Sequence, residues 1–221
     1  MTKILTLVLG CKDSHYGPID KAAKETWATM CPENMNIIFM YGNGEGKIFW
    51  DNKDSFYVDR RESLDICPYK TISAYETFLE SDFDYVYRPN GTGYYDLNLV
   101  SEFLKDKPTE NFYCGIRGEL NGIKFASGSS YFLSKDLVKK LVENKSTLYG
   151  YGMPGWHDDV IVGRYFQSIG VSINPSARRI DLNPNDIDEN LDMSHYHYRI
   201  LNKGCARSLY KIHELKTNFK K

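Results

Sequence analysis

Ile4-Leu5-Thr6-Leu7-Val8-Leu9-Gly10 opens the chain as a continuous run of β-favouring apolar residues closed by a glycine. A strand with no polar alternation is buried on both faces, which places it at the centre of an α/β sheet. The next segments fit that placement. Cys11 to Gly17 is a polar loop, Pro18 suits a first helical turn, and Ile19, Ala22, Ala23, Thr26, Trp27 and Met30 share one helical face. Met35 to Tyr41 is a second apolar strand, and Phe56 to Val58 a short third. Pro68 opens a helix whose inward stripe is Ile72, Tyr75, Phe78 and Leu79. Asp84 to Tyr87 is a strand that Arg88-Pro89-Asn90-Gly91-Thr92-Gly93 cannot continue.

The second half keeps the alternation. Asp96 can cap a helix carrying Leu97, Val100 and Leu104, and Ser134 one carrying Leu137, Val138 and Leu141. Phe112 to Ile116, Ile123 to Ala126 and Val171 to Asn174 read as strands. From Asp158 the apolar residues Val160, Ile161, Tyr165, Phe166 and Ile169 fall at helical spacing, with Gly170 as the stop. The expectation is one α/β domain over residues 1–221, a mostly parallel sheet flanked by helices. Its more polar tail, residues 183–221, is expected to wrap the domain as a C-terminal extension.

Composition narrows the function. The 221 residues carry a net charge of −1, so there is no overall attraction to nucleic acid. Charged residues at 26% and aromatics at 14% suit a folded globule rather than a disordered chain. The five cysteines are scattered and contain no Cys-x-x-Cys pair, which argues for a reducing compartment and against a zinc cluster. The opening strand is too short to span a bilayer, and the protein is read as cytoplasmic with no transmembrane segment.

In open α/β sheets, ligands bind beyond the carboxyl ends of the strands. The loops expected there are Gly10–Gly17, Arg88–Tyr95, Ala126–Ser130 and the turn before Asp158, bringing together Asp13, Arg88, Asn90, Ser127, Gly128, Trp156, His157, Asp158 and Asp159. Asp158 and Asp159 occupy a first helical turn, where the helix dipole favours carboxylates. One can cap the helix while the other faces a cleft and takes a proton from a hydroxyl.

The order of these segments is similar to that of the β-1,3-galactosyltransferase and Fringe-like glycosyltransferases. Lys21-Ala22-Ala23-Lys24-Glu25-Thr26-Trp27 resembles their basic-x-x-basic-x-Thr-Trp element, and Tyr69-Lys70-Thr71 their Lys-Thr helix start. Phe125-Ala126-Ser127-Gly128-Ser129-Ser130 resembles their Ala-Ser-Gly segment, and Asp158-Asp159-Val160 with Gly163 their acidic-Asp-Val helix. The resemblance spans roughly residues 1–175 and is nearest to small viral and bacterial members, as the His195–Arg207 tail also suggests. It implies a GT-A, Rossmann-like fold and inverting transfer of a hexose from a nucleotide-diphosphate sugar, UDP-linked first of all, to a glycan or other hydroxyl acceptor. By the same match Asp159 is the general base and Asp158 positions its surroundings. Ser127, Gly128, Trp156 and His157 face the acceptor, while Asp13, Lys70 and Asn90 face the donor.

One departure stands out. The family carries an Asp-x-Asp metal motif after the strand that here ends in Arg88-Pro89-Asn90-Gly91-Thr92, with no carboxylate. Hard divalent cations prefer anionic oxygens. Asp82-Phe83-Asp84 has the letters but precedes the strand. A manganese or magnesium ion is therefore left open, its ligands unknown, and Arg88, Arg199, Lys203 and Arg207 are the expected cations for the leaving diphosphate. Two other readings stay open: a catalytically inactive nucleotide-sugar or glycan-binding module, and a nucleotidyltransferase.

Overall fold

A computed structural model describes residues 1–13, 15–43, 45–151, 157–201 and 206–218. Its strands are β1 (Ile4–Leu9), β2 (Met35–Gly42), β3 (Phe49–Trp50), β4 (Ser55–Val58), β5 (Tyr85–Pro89), β6 (Tyr94–Tyr95), β7 (Tyr113–Leu120), β8 (Ile123–Ser134), β9 (Ile180–Leu182) and β10 (His197–Ile200). The helices are α1 (Gly17–Glu25), α2 (Cys67–Phe78), α3 (Leu97–Leu104), α4 (Lys135–Glu143), α5 (Lys145–Gly150), α6 (Asp158–Ser168) and α7 (Ala206–Asn218).

The main sheet runs β3-β4-β2-β1-β5-β8-β7, and a small second sheet runs β6-β10-β9. β4, β2, β1 and β5 are parallel, with Thr6 of the central strand opposite Ile37 on one side and Tyr87 on the other. β8 is antiparallel to both β5 and β7. The mostly parallel sheet flanked by helices is the expected fold class.

Strand alternation sorts the core into two layers. Ile4 and Val8 join the cluster that contains Trp27 of the segment after α1, Leu97 and Val100 of α3, and Leu209 and Ile212 of α7. Leu5 and Leu7 join the opposite cluster, with Ile72 and Tyr75 of α2, Leu137 of α4 and Ile161 of α6. Each such fully buried Leu or Ile contributes about 1.5–3 kcal/mol relative to exposure. The central strand reads as continuously apolar because both of its faces are covered.

Three local expectations of strand and loop need correction. Arg88 and Pro89, read as unable to continue the strand, are the last two residues of β5 and pair with Tyr131 and Ser130 of β8. Ala126–Ser130, read as a loop, is the middle of the 12-residue strand β8. Val171–Asn174 is not a strand; it contributes a single bridge, Asn174 to Cys114. The segment after Asn183 supplies β10, which binds β6 and β9, and α7, whose Lys216 ammonium lies 2.7 Å from the Asp96 carboxylate in a buried pair.

α6 lies directly on β8, and Gly163 makes that possible. A Cβ there would come within 2.3 Å of the Phe125 Cβ and 2.7 Å of the Lys124 carbonyl oxygen. About one helical turn earlier, Asp159 is brought against Gly128.

Candidate active site

A cavity of about 520 Å³ opens beyond the carboxyl ends of β1 and β5, within the ~300–1,000 Å³ range usual for small-molecule sites. Its walls come from Gly10, Cys11 and Asp13 after β1, Asn90–Gly93 after β5, Glu62, Cys67 and Lys70 around the start of α2, Ser129 of β8, and His197 and Arg199 of β10. Gly10 is required by close approach: a Cβ would meet the Tyr41 ring at 2.6 Å and the Asp20 carboxylate at 2.8 Å.

Lys70 is 1% exposed, and its ammonium donates to the Gly10 carbonyl at 2.9 Å and to Glu62 Oε1 at 2.7 Å. Two of its three donors are thereby used. Asp13 sits on the rim and accepts from the His15 and Tyr16 amides, which hold its carboxyl below the ordinary range. Asn90 is fixed by its amide to the Ser129 carbonyl at 2.9 Å, and its Oδ1 lies 3.3 Å from both the Thr92 amide and hydroxyl. Arg199, 3.6 Å from Asp181, lines the cavity half exposed.

His197 is buried beside Arg199. Its Nδ1 shares a hydrogen bond with Ser130 Oγ at 2.8 Å, and its Nε2 has no partner among the described residues. Burial, reinforced by Arg179 and Arg199, lowers its pKa well below the usual histidine value, so the ring is neutral near pH 7.

The acidic pair lies behind this wall. Asp158 is 2% exposed and both of its oxygens are occupied: Oδ1 accepts from Arg88 Nη2 at 2.6 Å, and Oδ2 from the Thr71 and Tyr131 hydroxyls at 3.1 and 3.2 Å. Asp159 Oδ2 accepts from the Gly128 amide at 2.6 Å, and Oδ1 from the Val160 amide at 2.9 Å. Burial first, then the neighbouring Asp158 charge, raises the Asp159 pKa, while Arg88 and the two amides pull it down. Asp159 does not line the 520 Å³ cavity itself. It stands against Gly128, next in β8 to the cavity-lining Ser129.

Several expected donor and acceptor residues lie elsewhere. Arg88, read as a cation for the diphosphate, is 1% exposed and committed to Asp158 and to the Gly128 carbonyl. Arg207 is exposed in the first turn of α7 and is not among the cavity-lining residues. His157 is exposed at the start of α6 and caps it without a side-chain hydrogen bond. Ser127 Oγ lies 3.2 Å from Ser129 Oγ. Trp156 and Lys203 fall outside the described residues.

Sequence reasoning misses Arg179. Its guanidinium donates to Ser129 Oγ at 2.8 Å and pairs with Asp181 at 2.6 Å, bracing the middle of β8 from the side opposite Asp159. The signal available for it was an arginine two residues from Asp181, just before a short strand.

The carboxylate metal motif of the resembling family does not fit here. The groups after β5 are an amide and a hydroxyl already bonded to each other. Asp82 and Asp84 bond with Lys3 at the amino end of β1, across the sheet from the cavity. Among the described residues no group of three or more His, Cys, Asp or Glu is placed to hold a metal ion.

No protein-family profile matches the sequence, and no curated protein sequence does. Solved structures do match in fold. The galactosyltransferase LgtC, in complex with donor and acceptor sugar analogs, superposes with a TM-score of 0.56 at 10% identity, over 97% of this chain and 95% of that one. A glycosyltransferase involved in the glycosylation of the major capsid of PBCV-1 gives 0.55 at 10% identity, over 97% and 99%. The apo-form glycosyltransferase GlyE of Streptococcus pneumoniae TIGR4 gives 0.50 at 13% identity over 81% of this chain, which spans only 46% of the GlyE chain. At such identities the similarity is one of architecture: the chain has the glycosyltransferase GT-A fold.

Proposed function

We propose that the protein transfers a sugar from a nucleotide-diphosphate sugar, with a UDP-sugar the first candidate, to a hydroxyl of a glycan or other acceptor, with inversion. The observation that carries this reading is the 520 Å³ cavity at the carboxyl ends of β1 and β5, lined by the buried Lys70 and the half-exposed Arg199. In this reading Lys70 and Arg199 balance the diphosphate, Asp13 and Asn90 bind polar groups of the donor, and Ser127 and Gly128 form the acceptor side.

The acceptor oxygen attacks the anomeric carbon and its proton passes to the Asp159 carboxylate. The bond from that carbon to the diphosphate oxygen breaks, and the electron pair leaves with the nucleoside diphosphate. A carboxylate raised by burial is a stronger proton acceptor than an exposed one. Cationic side chains take up charge developing on the leaving group without reorganising. The free thiols of Cys11, Cys31, Cys67 and Cys114 support a cytoplasmic setting. No helix among the described residues is long and apolar enough to cross a membrane.

The second reading, an inactive nucleotide-sugar or glycan-binding module, draws on the non-carboxylate chemistry after β5 and on Asp159 lying one residue behind the cavity wall. A panel of nucleotide sugars, scored for release of nucleoside diphosphate with and without acceptor hydroxyls, separates the two. Release supports transfer. Binding of the same compounds without release supports the module.

A further inference from the structure

Arg88 lies near the end of β5, just before the loop that walls the cavity, yet its charge is spent inward. Its guanidinium closes a ring of hydrogen bonds. Nη2 donates to Asp158, Nη1 to the Gly128 carbonyl, and the Gly128 amide donates back to Asp159. The ring therefore ties β5, β8 and the first turn of α6 through both polar groups of one peptide residue and both acidic side chains. Asp158 is completed by the Thr71 hydroxyl of α2 and the Tyr131 hydroxyl of β8, and Tyr131 in turn meets the Tyr75 hydroxyl at 3.0 Å.

We propose that Arg88 is a positioning residue that holds Asp158 as a permanent ion-pair partner and sets the Gly128 peptide, so that Asp159 alone of the two carboxylates is presented as a base. The inference rests on the function proposed above. A buried ion pair is weak evidence for stability, since apolar residues of like volume often serve as well, and its use lies in registry. The planar fork is what fits: two acceptors on different elements are reached by two donors held in one plane, which an ammonium cannot do. The charged and titratable groups that act on Asp159 or on its paired Asp158 are Arg88 on β5, Tyr113 on β7, Tyr131 on β8, and Tyr75 and Cys67 on α2. Among these groups of the described residues Arg88 is the cation, and it supports the ionised form of Asp159 from within the ring.

The test compares wild type, Arg88→Lys, Asp158→Asn and the charge-neutral double variant Arg88→Met/Asp158→Asn. Arg88→Lys keeps the charge and loses the fork. Its kcat for transfer is expected to fall about 10²-fold, the usual cost of a base misplaced by about 1 Å, with donor KM within about twofold of wild type. An unchanged kcat, or a loss carried by donor KM, overturns the proposal. Asp159 is also titrated directly by carbon-13 NMR of its carboxyl. With Asp158 made neutral in both proteins, the midpoint is expected higher in the double variant than in Asp158→Asn, because only the latter retains the Arg88 charge; equal midpoints overturn the proposal. Where Arg88→Lys does not fold, the double variant, which removes the Arg88–Asp158 pair as a whole, carries the test. If wild type transfers from no nucleotide sugar, the functional reading fails while the titration still decides the role of Arg88.

Discussion

Replacing Gly128 by alanine puts a methyl group into the contact on which the candidate base depends. The added Cβ would lie 2.8 Å from Asp159 Oδ2, 3.0 Å from its Cγ and 3.4 Å from its Cβ. Relaxed heavy-atom contacts at carbon sit at roughly 3.5–4.0 Å, so the carboxylate or the strand must retreat by about 0.5–1 Å. The carboxylate is 8% exposed and anchored in the first turn of α6, which leaves it little room. Overpacking costs about 1–3 kcal/mol, and losing the hydrogen bond from the Gly128 amide to a charged acceptor about 1.5–3 kcal/mol. Gly128 has no positive φ, so alanine adds no backbone strain and recovers about 0.5–1 kcal/mol of chain entropy. The net expectation is a destabilisation of about 2–5 kcal/mol by urea denaturation, together with a shift in the Asp159 titration. Gly150→Ala is the control: nothing lies within 4 Å of its Cβ position, and stability should be unchanged or slightly higher. A Gly128→Ala protein as stable as wild type, with an unmoved Asp159 titration, would refute the geometry.

Lys70→Met removes a cation from the cavity wall and leaves Glu62 unpaired, so UDP-sugar affinity by calorimetry should fall at least about tenfold, as expected for one charge-assisted contact; unchanged affinity counts against the donor site. Lys216→Met breaks the buried pair with Asp96 and should cost about 3–5 kcal/mol in denaturation experiments; a loss below about 1 kcal/mol would show that α7 is held by its apolar face alone. The pH dependence of stability has a definite sign. Burial raises Asp159 and Asp20, so between the unfolded value of 3.8 and their folded values the native state binds more protons than the unfolded chain. Their contribution to stability therefore falls as pH rises through that window, and Asp159→Asn should flatten part of the fall. A steeper fall in the variant would contradict it. Chelation should leave UDP-sugar binding unchanged, given the amide and hydroxyl after β5; binding lost to chelator and restored by manganese would contradict the charge assignment.

The alternation of apolar runs was enough to place β1, β2, α1, α2, α3 and α6, because each buries a regular face against the sheet. Asp96 caps α3 as its position suggested, accepting from the Leu99 amide at 3.1 Å. The rest of β8 beyond Ile123–Ala126 escaped because Ala126-Ser127-Gly128-Ser129-Ser130 has weak strand propensity of its own. Its conformation is imposed by pairing with β5 and β7. The identity of the Arg88 partner was equally hidden. Asp158 lies 70 residues away, and nothing local distinguishes an arginine that reaches outward to a phosphate from one that turns into the core. Asp158 and Asp159 were legible as a pair in a first helical turn, but their division into a neutralised partner and a raised carboxylate depends on β5 and β8.

Asp159→Asn is the most direct measurement of the central claim. The amide oxygen can still accept from the Gly128 N–H, so the fold and donor binding should be retained, with nucleotide-sugar affinity within a few-fold of wild type. Transfer to acceptor should drop by about 10²–10⁴-fold, the range a general base contributes. An Asp159→Asn protein that transfers sugar at the wild-type rate would contradict the account.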